Sequence, residues 1–185
     1  KSFKARTLMT SKKCLTGTDR VAEVAELIKT TQYINLQGDE PIFPPDEFSN
    51  FINEAKKDPS IVYTAITKIN NEDDYINKSI PKMVFTNKKY LLYSSRAPIP
   101  SNKDSKFQTG YKHVCVYAFN KYHLDIFKKN ECKTFFENQE DLEINRFLEL
   151  EQKVKCIEIN KGGKALDTKN DYLFLSNYIE NLEIN

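Results

Sequence analysis

Hydrophobic and polar positions repeat with two different periods along the first third of the chain. Residues 16–29 carry apolar side chains at the i, i+3, i+4, i+7 spacing of an amphipathic helix: Val21, Val24, Ala25 and Ile28. A second helix is predicted over 43–58, where prolines precede an apolar face formed by Phe48, Phe51, Ile52 and Ala55. Short apolar runs at about 5–10, 33–37 and 61–69 predict β-strands between and beside these helices.

The middle of the chain lacks this alternation. Residues 81–96 contain two apolar runs joined by polar residues around Asn87 and Lys88, and this pattern predicts a β-hairpin with no helix between its strands. Residues 100–110 are polar and predict a loop. The next segments predict a strand over 111–119 and a short helix over 121–129.

Alternation returns in the last third of the chain. The patterns predict a helix over 138–150, a strand over 154–159 and a closing helix over 168–182. A capping-box pattern at the start of the closing helix places Asp167 where the preceding loop meets that helix.

Strands separated by helices predict an α/β fold with a mostly parallel sheet flanked by helices, and the hairpin is then an antiparallel insertion. A length of 185 residues suits one domain with a substantial core, so we expect a single domain over 1–185. Ligands of such folds bind outside the carboxyl ends of the strands. Gln37, Asp39 and Glu40 lie at that edge, directly after a predicted strand.

The composition changes this picture little. The chain is 39% hydrophobic and 29% charged with a net charge of +2, so no basic surface argues for nucleic-acid binding. Its four cysteines include no C-x-x-C pair and its two histidines complete no zinc pattern, which favours reduced thiols and a cytosolic protein. No apolar segment approaches the roughly 18 residues of a membrane span, and no signal peptide is evident.

Two aspartates, Asp39 and Asp167, lie at strand ends and offer the oxygen ligands that Mg²⁺ prefers. An aspartate at such a position also commonly caps the following helix, and spacing alone leaves both interpretations open. The segment TGTDR at 16–20 opens a helix whose backbone N–H groups can meet a nucleotide. An ordinary helix start capped by Thr18 explains the same residues.

Other candidates also have two interpretations. Arg96 leaves the hairpin between stiffening prolines, and its guanidinium is suited either to a carboxylate ligand or to an ordinary surface. His113 and Tyr117 are four residues apart in a strand, so they share a face that lines a polar pocket or packs in the core. An acidic residue recurs at every third position near a helix start: Glu137, Glu140 and Glu143. Such a stripe is typical of a solvated helix face.

Five segments in this order resemble the 3-deoxy-manno-octulosonate cytidylyltransferase (CMP-Kdo synthetase) family: TGTDRVAEVA, NLQGDEPIFPP, LLYSSRAPIP, HVCVYAF and ALDTKND. The resemblance covers nearly the whole chain. It implies a Rossmann-like nucleotidyltransferase sheet, with a hairpin-containing subregion at about 75–130 that binds the sugar and forms a homodimer. The segments KMVF and YLLY supply an apolar face either for that pairing or for the main sheet. The resemblance further implies a cytoplasmic enzyme of lipopolysaccharide or capsule synthesis.

The resemblance also implies a reaction. The anomeric 2-hydroxyl of a 3-deoxy-2-keto sugar acid attacks the α-phosphorus of CTP, which forms a CMP-sugar and releases pyrophosphate; metal ions clamp the oxygens. The implied catalytic residues and Mg²⁺ ligands are Asp39 and Asp167. The residues implied near the nucleotide are Gly17, Arg20, Gln37 and Asp39. Those implied at the sugar acid are Arg96, His113, Tyr117 and Glu143.

Three departures from the family pattern qualify these expectations. The family's triphosphate-gripping loop, R-x-x-S-x-R-x-x-G-K-P, has no counterpart, so the chain is expected to begin about sixty residues into the pattern. The family's Glu-Gln pair is Glu143-Ile144 here, which favours a related sugar acid, such as an amino-substituted Kdo, as an alternative to Kdo. The family's H-x-S-G is replaced by CLTG at 14–17. A truncated, non-catalytic relative that binds a sugar acid is the second alternative.

Overall fold

Strand β5 lies in the middle of a mixed sheet. The computed structural model describes residues 5–38, 43–160, 172–173 and 176–177, and these ranges contain a six-stranded sheet. Its strands are β1 (Tyr33–Leu36), β2 (Val62–Lys68), β3 (Lys82–Phe85), β4 (Leu91–Ser95), β5 (Tyr111–Phe119) and β6 (Val154–Glu158). The helices are α1 (Gly17–Leu27), α2 (Pro45–Ala55), α3 (Glu72–Ile76), α4 (Lys121–Lys129), α5 (Phe135–Glu140) and α6 (Ile144–Glu149).

Both edges of β5 are used. Strand β2 pairs antiparallel along one edge and is followed by β6, which runs parallel to β2. Strands β1 and β3 share the other edge: β1 places Asn35 opposite Tyr117, and β3 places Lys82 opposite Lys112. Strand β4 forms the outer edge beside β3. The two halves of β5 therefore connect β1 and the hairpin to the rest of the sheet.

The predicted α/β class with flanking helices is confirmed, but the expectation that the sheet is mostly parallel is wrong for the described strands. Strand β5 is antiparallel to β1, β2 and β3, and β2–β6 is the one parallel pair in the described ranges. After the hairpin, the chain re-enters the middle of the sheet as β5, which runs opposite to β1 and β2. An apolar run has the same pattern in either direction, so periodicity could not reveal this.

The two faces of the sheet have separate cores. On one face α2 packs in a cluster that includes Phe51, Ala55, Val114, Val116 and Ala118. On the other face α1, α4 and α6 pack in a cluster that includes Ala22, Ala25, Tyr117, Phe119, Leu124, Phe127, Ile144 and Phe147. Alternate residues of β5 point to opposite faces, which gives each helix layer its own set of partners.

Most predicted elements are confirmed. Strands β1, β2, β5 and β6 and helices α1, α2 and α4 lie where the patterns placed them. The hairpin is also confirmed: Thr86 N–H donates to the Tyr90 carbonyl at 2.8 Å, and Lys89 takes the left-handed conformation. Of its apolar residues, Met83 and Leu91 pack in the core, whereas Leu92 is 61% exposed.

Three local expectations are wrong. Residues 5–10 form no strand, and their apolar side chains are exposed, with Met9 98% accessible. The predicted core face of α1 is wrong in part: Ala25 is buried and Val21 packs against the core as predicted, but Thr18 and Ala22 are also buried and Ile28 is exposed. The predicted helix over 138–150 is interrupted at Asp141, whose φ of 52° ends α5 before α6 begins.

Other features were missed or lie at the limits of the described ranges. Helix α3, which Asn71 caps, was not predicted. Of the closing helix, residues 172–173 and 176–177 are described and are helical.

All four cysteines lie in the described part and have free thiols. No helix in the described ranges is both long and apolar enough to cross a membrane.

Candidate active site

The first turn of α1 forms one wall of the candidate site. The Thr16 hydroxyl accepts a hydrogen bond from Asp19 N–H at 3.2 Å, and the Asp19 carboxylate accepts one from Thr16 N–H at 2.8 Å. This capping box, rather than Thr18, starts the helix at Gly17. The remaining N–H groups of a first turn have no partner within their own helix. One of them, Thr18 N–H, binds a side chain that is distant in sequence.

That side chain is Glu143, directly before α6, and it joins α1 to the end of β1. Its Oε2 accepts Thr18 N–H at 2.9 Å, and its Oε1 accepts Gln37 Nε2 at 2.8 Å. Glu143 thus connects the start of α1 with the residue that follows β1, although it lies more than 100 residues later in the sequence than either. The contact unites Gly17 and Gln37, predicted at the nucleotide, with a residue predicted at the sugar acid.

Gly17 permits the close approach of α1 to β1. A Cβ at this position would lie 3.2 Å from Gln37 Nε2, closer than most side-chain carbons approach, and at an ordinary contact distance of 3.5 Å from Asn35 Nδ2. The Asn35 Nδ2 atom is buried and has no hydrogen-bond partner among the described residues. Because buried polar atoms are normally paired, this donor is available to a ligand or to residues outside the described ranges.

The protonation of Glu143 is perturbed. Burial raises the pKa of the Glu143 carboxyl above its ordinary value, although the hydrogen bond from Thr18 N–H favours the ionised form. The negative charge of Asp19 raises that pKa further. Glu143 therefore binds a proton at a higher pH than an exposed glutamate does.

His113 and Tyr117 lie together on β5, as their spacing predicted. Their rings meet edge to face with centroids 5.4 Å apart, and both side chains are buried. His113 Nε2 is 2.8 Å from Thr64 Oγ1, while its Nδ1 is buried without a hydrogen-bond partner among the described residues. Burial lowers the pKa of His113 to about 4, so the ring is neutral at pH 7. Through the β1–β5 register, Tyr117 lies opposite Asn35 and connects this pair to the Gly17 region.

Arg96 contacts backbone carbonyls at the turn between α5 and α6 and in the segment that follows α3. Its guanidinium donates to the Glu140 carbonyl at 2.7 Å, the Lys78 carbonyl at 3.1 Å and the Asp141 carbonyl at 3.3 Å. These bonds use three of the five N–H donors of a guanidinium. Arg96 therefore holds the turn that leads to Glu143, and its recognition of a substrate carboxylate stays a prediction.

Arg20 lies on the exposed side of α1. Its guanidinium donates to Thr10 Oγ1 at 2.8 Å and to the Ser11 carbonyl at 3.1 Å, which ties the N-terminal segment to the helix. Its contact with a nucleotide stays a prediction.

The expectation that the acidic stripe is solvated is wrong. Glu137 is fully buried, where Arg146 donates to both of its oxygens at 2.6 Å. Glu140 accepts hydrogen bonds from Ser95 Oγ at 2.7 Å and from Arg96 N–H at 2.8 Å. Burial opposes ionisation of Glu140, but these bonds outweigh it and lower its pKa. All three acids of the stripe therefore bind inward.

Sequence reasoning missed the two buried cations behind these acids. Arg146 is fully buried, and a signal was present because it stands between core residues Ile144 and Phe147 in a short helix. Lys82 is also fully buried and donates to the carbonyls of Asn77 and Arg96, at 2.8 and 2.7 Å. Burial lowers the pKa of Lys82 to about 8. No sequence signal identified it.

Ile144, where the family pattern has glutamine, is fully buried in the core of the sheet. This residue packs as a hydrophobe, so the departure at position 144 does not by itself argue for a different sugar acid.

In the replaced segment 14–17, Cys14 Sγ lies 3.3 Å from a carboxylate oxygen of Glu23.

The two predicted metal ligands, Asp39 and Asp167, lie outside the described residues. In the sequence, Asp39 stands three residues after Leu36, the last residue of β1. Within the described ranges, no group of three histidine, cysteine, aspartate or glutamate side chains could hold a metal ion. The donor chemistry of two carboxylates fits Mg²⁺, and the ligand assignment stays a prediction.

Comparison with known structures confirms the predicted Rossmann-like nucleotidyltransferase fold. The structure of CMP:2-keto-3-deoxy-manno-octonic acid synthetase complexed with CTP matches with a TM-score of 0.88 and 27% sequence identity, over 97% of this chain and 74% of that chain. HddC from Yersinia pseudotuberculosis matches with a TM-score of 0.63 over 91% of this chain and 64% of its own, and at 11% identity it supports the fold alone.

Sequence comparison identifies the family. The family model described as Cytidylyltransferase matches residues 1–156. The 3-deoxy-manno-octulosonate cytidylyltransferases of Protochlamydia amoebophila and Elusimicrobium minutum are 34% and 35% identical, over 92% and 97% of this chain. These alignments cover 69% and 75% of the relatives' own lengths. This chain therefore belongs to the cytidylyltransferase family and, within it, to the 3-deoxy-manno-octulosonate cytidylyltransferases.

Proposed function

We propose that this chain transfers CMP from CTP to the anomeric hydroxyl of a 3-deoxy-2-keto sugar acid, Kdo in the first instance, with release of pyrophosphate. The observation that carries the proposal is the Glu143 carboxylate, which joins the start of α1 to Gln37 at the end of β1. Ligands of open α/β sheets bind at this edge, and here it unites residues implied at both substrates.

On the nucleotide side, Glu143 restrains the Gln37 amide, and Gly17 keeps the wall of α1 free of a side chain. The site thereby offers a preformed amide close to backbone, an arrangement suited to a planar base or a ribose. We assign Gly17, Arg20, Gln37 and Asp39 to CTP by family resemblance.

On the acceptor side, we assign Arg96, His113, Tyr117 and Glu143 to the sugar acid. Because His113 is neutral at pH 7, it acts there as a hydrogen-bonding group and not as a cation for the substrate carboxylate. The low pKa likewise makes His113 a poor general acid. Its role is therefore to orient a hydroxyl group, together with Tyr117.

Mg²⁺ is the implied cofactor, with Asp39 and Asp167 as its ligands. When bound, the ion supplies charge neutralisation for the phosphates of CTP. The remaining contribution of the protein is positioning, which accounts for most of the catalysis in phosphoryl and nucleotidyl transfer.

Release of pyrophosphate by the full-length polypeptide tests the proposal. With CTP, Mg²⁺ and Kdo we expect pyrophosphate and CMP-Kdo in equal amounts, and with any one component omitted we expect neither. Asp39→Asn should abolish turnover and leave the free energy of unfolding nearly unchanged. The matched control is Asp46→Asn, an exposed aspartate in the first turn of α2, which should retain full activity.

The same assay separates the alternatives. If amino-substituted Kdo or another ulosonic acid reacts faster than Kdo, the acceptor assignment changes and the reaction class stands. If no keto sugar acid supports pyrophosphate release but a sugar acid still binds, the chain is a non-catalytic relative. Full activity of Asp39→Asn would contradict the metal assignment.

The cellular setting belongs to the proposal as well. We propose a cytoplasmic homodimer that supplies an activated sugar acid for lipopolysaccharide or capsule synthesis. The exposed Leu92 on the hairpin is consistent with pairing there, although Met83 and Leu91 pack inside the subunit. Light scattering of the purified protein measures the oligomeric state directly.

A further inference from the structure

Arg146 connects four helices from a fully buried position. Arg146 belongs to α6, and its guanidinium donates to both oxygens of Glu137 in α5 at 2.6 Å. It also donates to the Phe127 carbonyl in α4 at 3.3 Å and lies 3.8 Å from the centroid of the Phe127 ring. Its last contact, at 3.1 Å, is with Oδ1 of Asp19 in α1.

The two carboxylate oxygens of Asp19 accept hydrogen bonds from different residues. Its Oδ2 accepts hydrogen bonds from the N–H and the hydroxyl of Thr16, at 2.8 and 2.9 Å, which completes the capping box. Its Oδ1 accepts the guanidinium of Arg146. The side chain that shapes the first turn of α1 is therefore held from outside that helix.

Helices α1 and α6 consequently meet through two polar contacts that are three residues apart on one side of α6. Glu143 receives Thr18 N–H from α1, and Arg146 binds Asp19, the next residue of α1. Arg146 is fully buried and the Asp19 side chain is 13% exposed, so their contact is largely shielded from solvent, whereas Glu143 lies at the site.

We propose that Arg146 is a positioning residue for the transfer reaction: by holding Asp19 against α6, it sets the first turn of α1 so that Thr18 N–H meets the Glu143 carboxylate. This role rests on the proposed function, because Glu143 is assigned to the sugar acid there. The role requires arginine. Only a planar fork can bind Glu137 with two parallel hydrogen bonds and still reach Asp19, while the single ammonium group of lysine cannot span both.

Amide hydrogen exchange at Thr18 tests this geometry without reference to activity. Thr18 N–H lies in the first helical turn, where it has no acceptor within the helix, so its protection reports the bond to Glu143. In Arg146→Lys we expect Thr18 to exchange at least about tenfold faster, relative to core amides of β5, than in the wild type. In Glu143→Gln the carboxylate that accepts Thr18 N–H is replaced by an amide, so the Thr18 exchange rate in this variant shows the effect of altering the acceptor directly.

The matched control removes another ion pair between α1 and a neighbouring helix. Lys128 in α4 pairs with Glu26 in the last turn of α1, at the end away from Glu143, and both side chains are substantially exposed. In Lys128→Met, Thr18 exchange should stay within about twofold of the wild type, and activity should be unchanged.

Steady-state kinetics give the second measurement. Arg146→Lys should raise KM for the sugar acid about tenfold and KM for CTP several-fold, since it disturbs Glu143, which also restrains Gln37, and no reacting atom. A merely structural role would lower the amount of active enzyme and move neither KM. If the wild type forms no CMP-sugar, the proposed function fails, and Thr18 exchange still decides the role of Arg146.

A second variant covers the case in which Arg146→Lys does not fold. Asp19→Asn keeps the buried Arg146–Glu137 pair, and the Thr16 hydroxyl can still cap the N–H of residue 19. We expect the same direction of change: faster Thr18 exchange and a higher KM for the sugar acid. Wild-type protection of Thr18 in folded Arg146→Lys, or in Asp19→Asn if the former is unfolded, overturns the proposal.

Discussion

Acidification should destabilise this protein through His113. The ring is buried, bonded at Nε2 to Thr64 and packed edge to face on Tyr117. Protonation would place a cation in this pocket, where the described residues supply no acidic partner for the unpaired Nδ1. The folded state therefore excludes the proton that the unfolded chain accepts.

The magnitude follows from the two pKa values. The pKa of His113 falls from 6.5 in its ordinary state to about 4 in the fold, and burial is the cause. The unfolded chain therefore binds more protons between these two values, and the free energy of unfolding falls as the pH is lowered through that window. The full effect is about 3 kcal/mol, and about 2 kcal/mol of it should be lost by about pH 5.

Urea denaturation at several pH values from about 7.5 to about 4.5 measures this loss. His113→Gln retains a polar group for Thr64 but cannot titrate. Although the variant should be less stable than the wild type at pH 7.5, the gap should close by about 2 kcal/mol at low pH. The control, His123→Gln, removes the other histidine and should keep most of the wild-type slope. Parallel curves for the wild type and His113→Gln would refute the reasoning.

Two further substitutions test the site and the core behind it. Gly17→Ala places a methyl group 3.2 Å from Gln37 Nε2, so we expect KM for CTP to rise several-fold. The free energy of unfolding should change by less than about 1 kcal/mol. An unchanged KM for CTP would contradict the close approach of α1 to Gln37. Glu137→Gln removes the buried partner of Arg146 and should cost about 3 kcal/mol or more in urea denaturation. The exposed Glu26→Gln should cost less than about 1 kcal/mol, and equal losses would show that burial is not the cause.

Elements with a strong local pattern could be predicted from the sequence. The bounds predicted for β5 and α4 match the observed ones, because apolar residues dominate β5 and Asn120 caps α4 with a side-chain hydrogen bond. The hairpin was equally visible from its two apolar runs. These features depend on neighbours in sequence, which is the information that periodicity contains.

Features that depend on distant contacts could not be predicted in this way. The direction of β5 depends on the path of the chain, and the exposure of residues 5–10 depends on which strands could pair with them. Within the site, family resemblance selected Gly17, Gln37 and Glu143, which the structure brings together. The spacing of the acidic stripe suggested solvent, because burial of a carboxylate depends on hydrogen-bond donors elsewhere in the chain.

Helix α6 shows how a short element can still position a group accurately. A six-residue helix has little stability of its own, so its orientation must come from packing. Ile144 and Phe147, three residues apart, fix one side to the sheet core. Glu143 and Arg146, also three residues apart, fix an adjacent side to the first turn of α1. Because the apolar pair resists translation away from the sheet and the polar pair resists rotation about the helix axis, the carboxylate at the site has one preferred position.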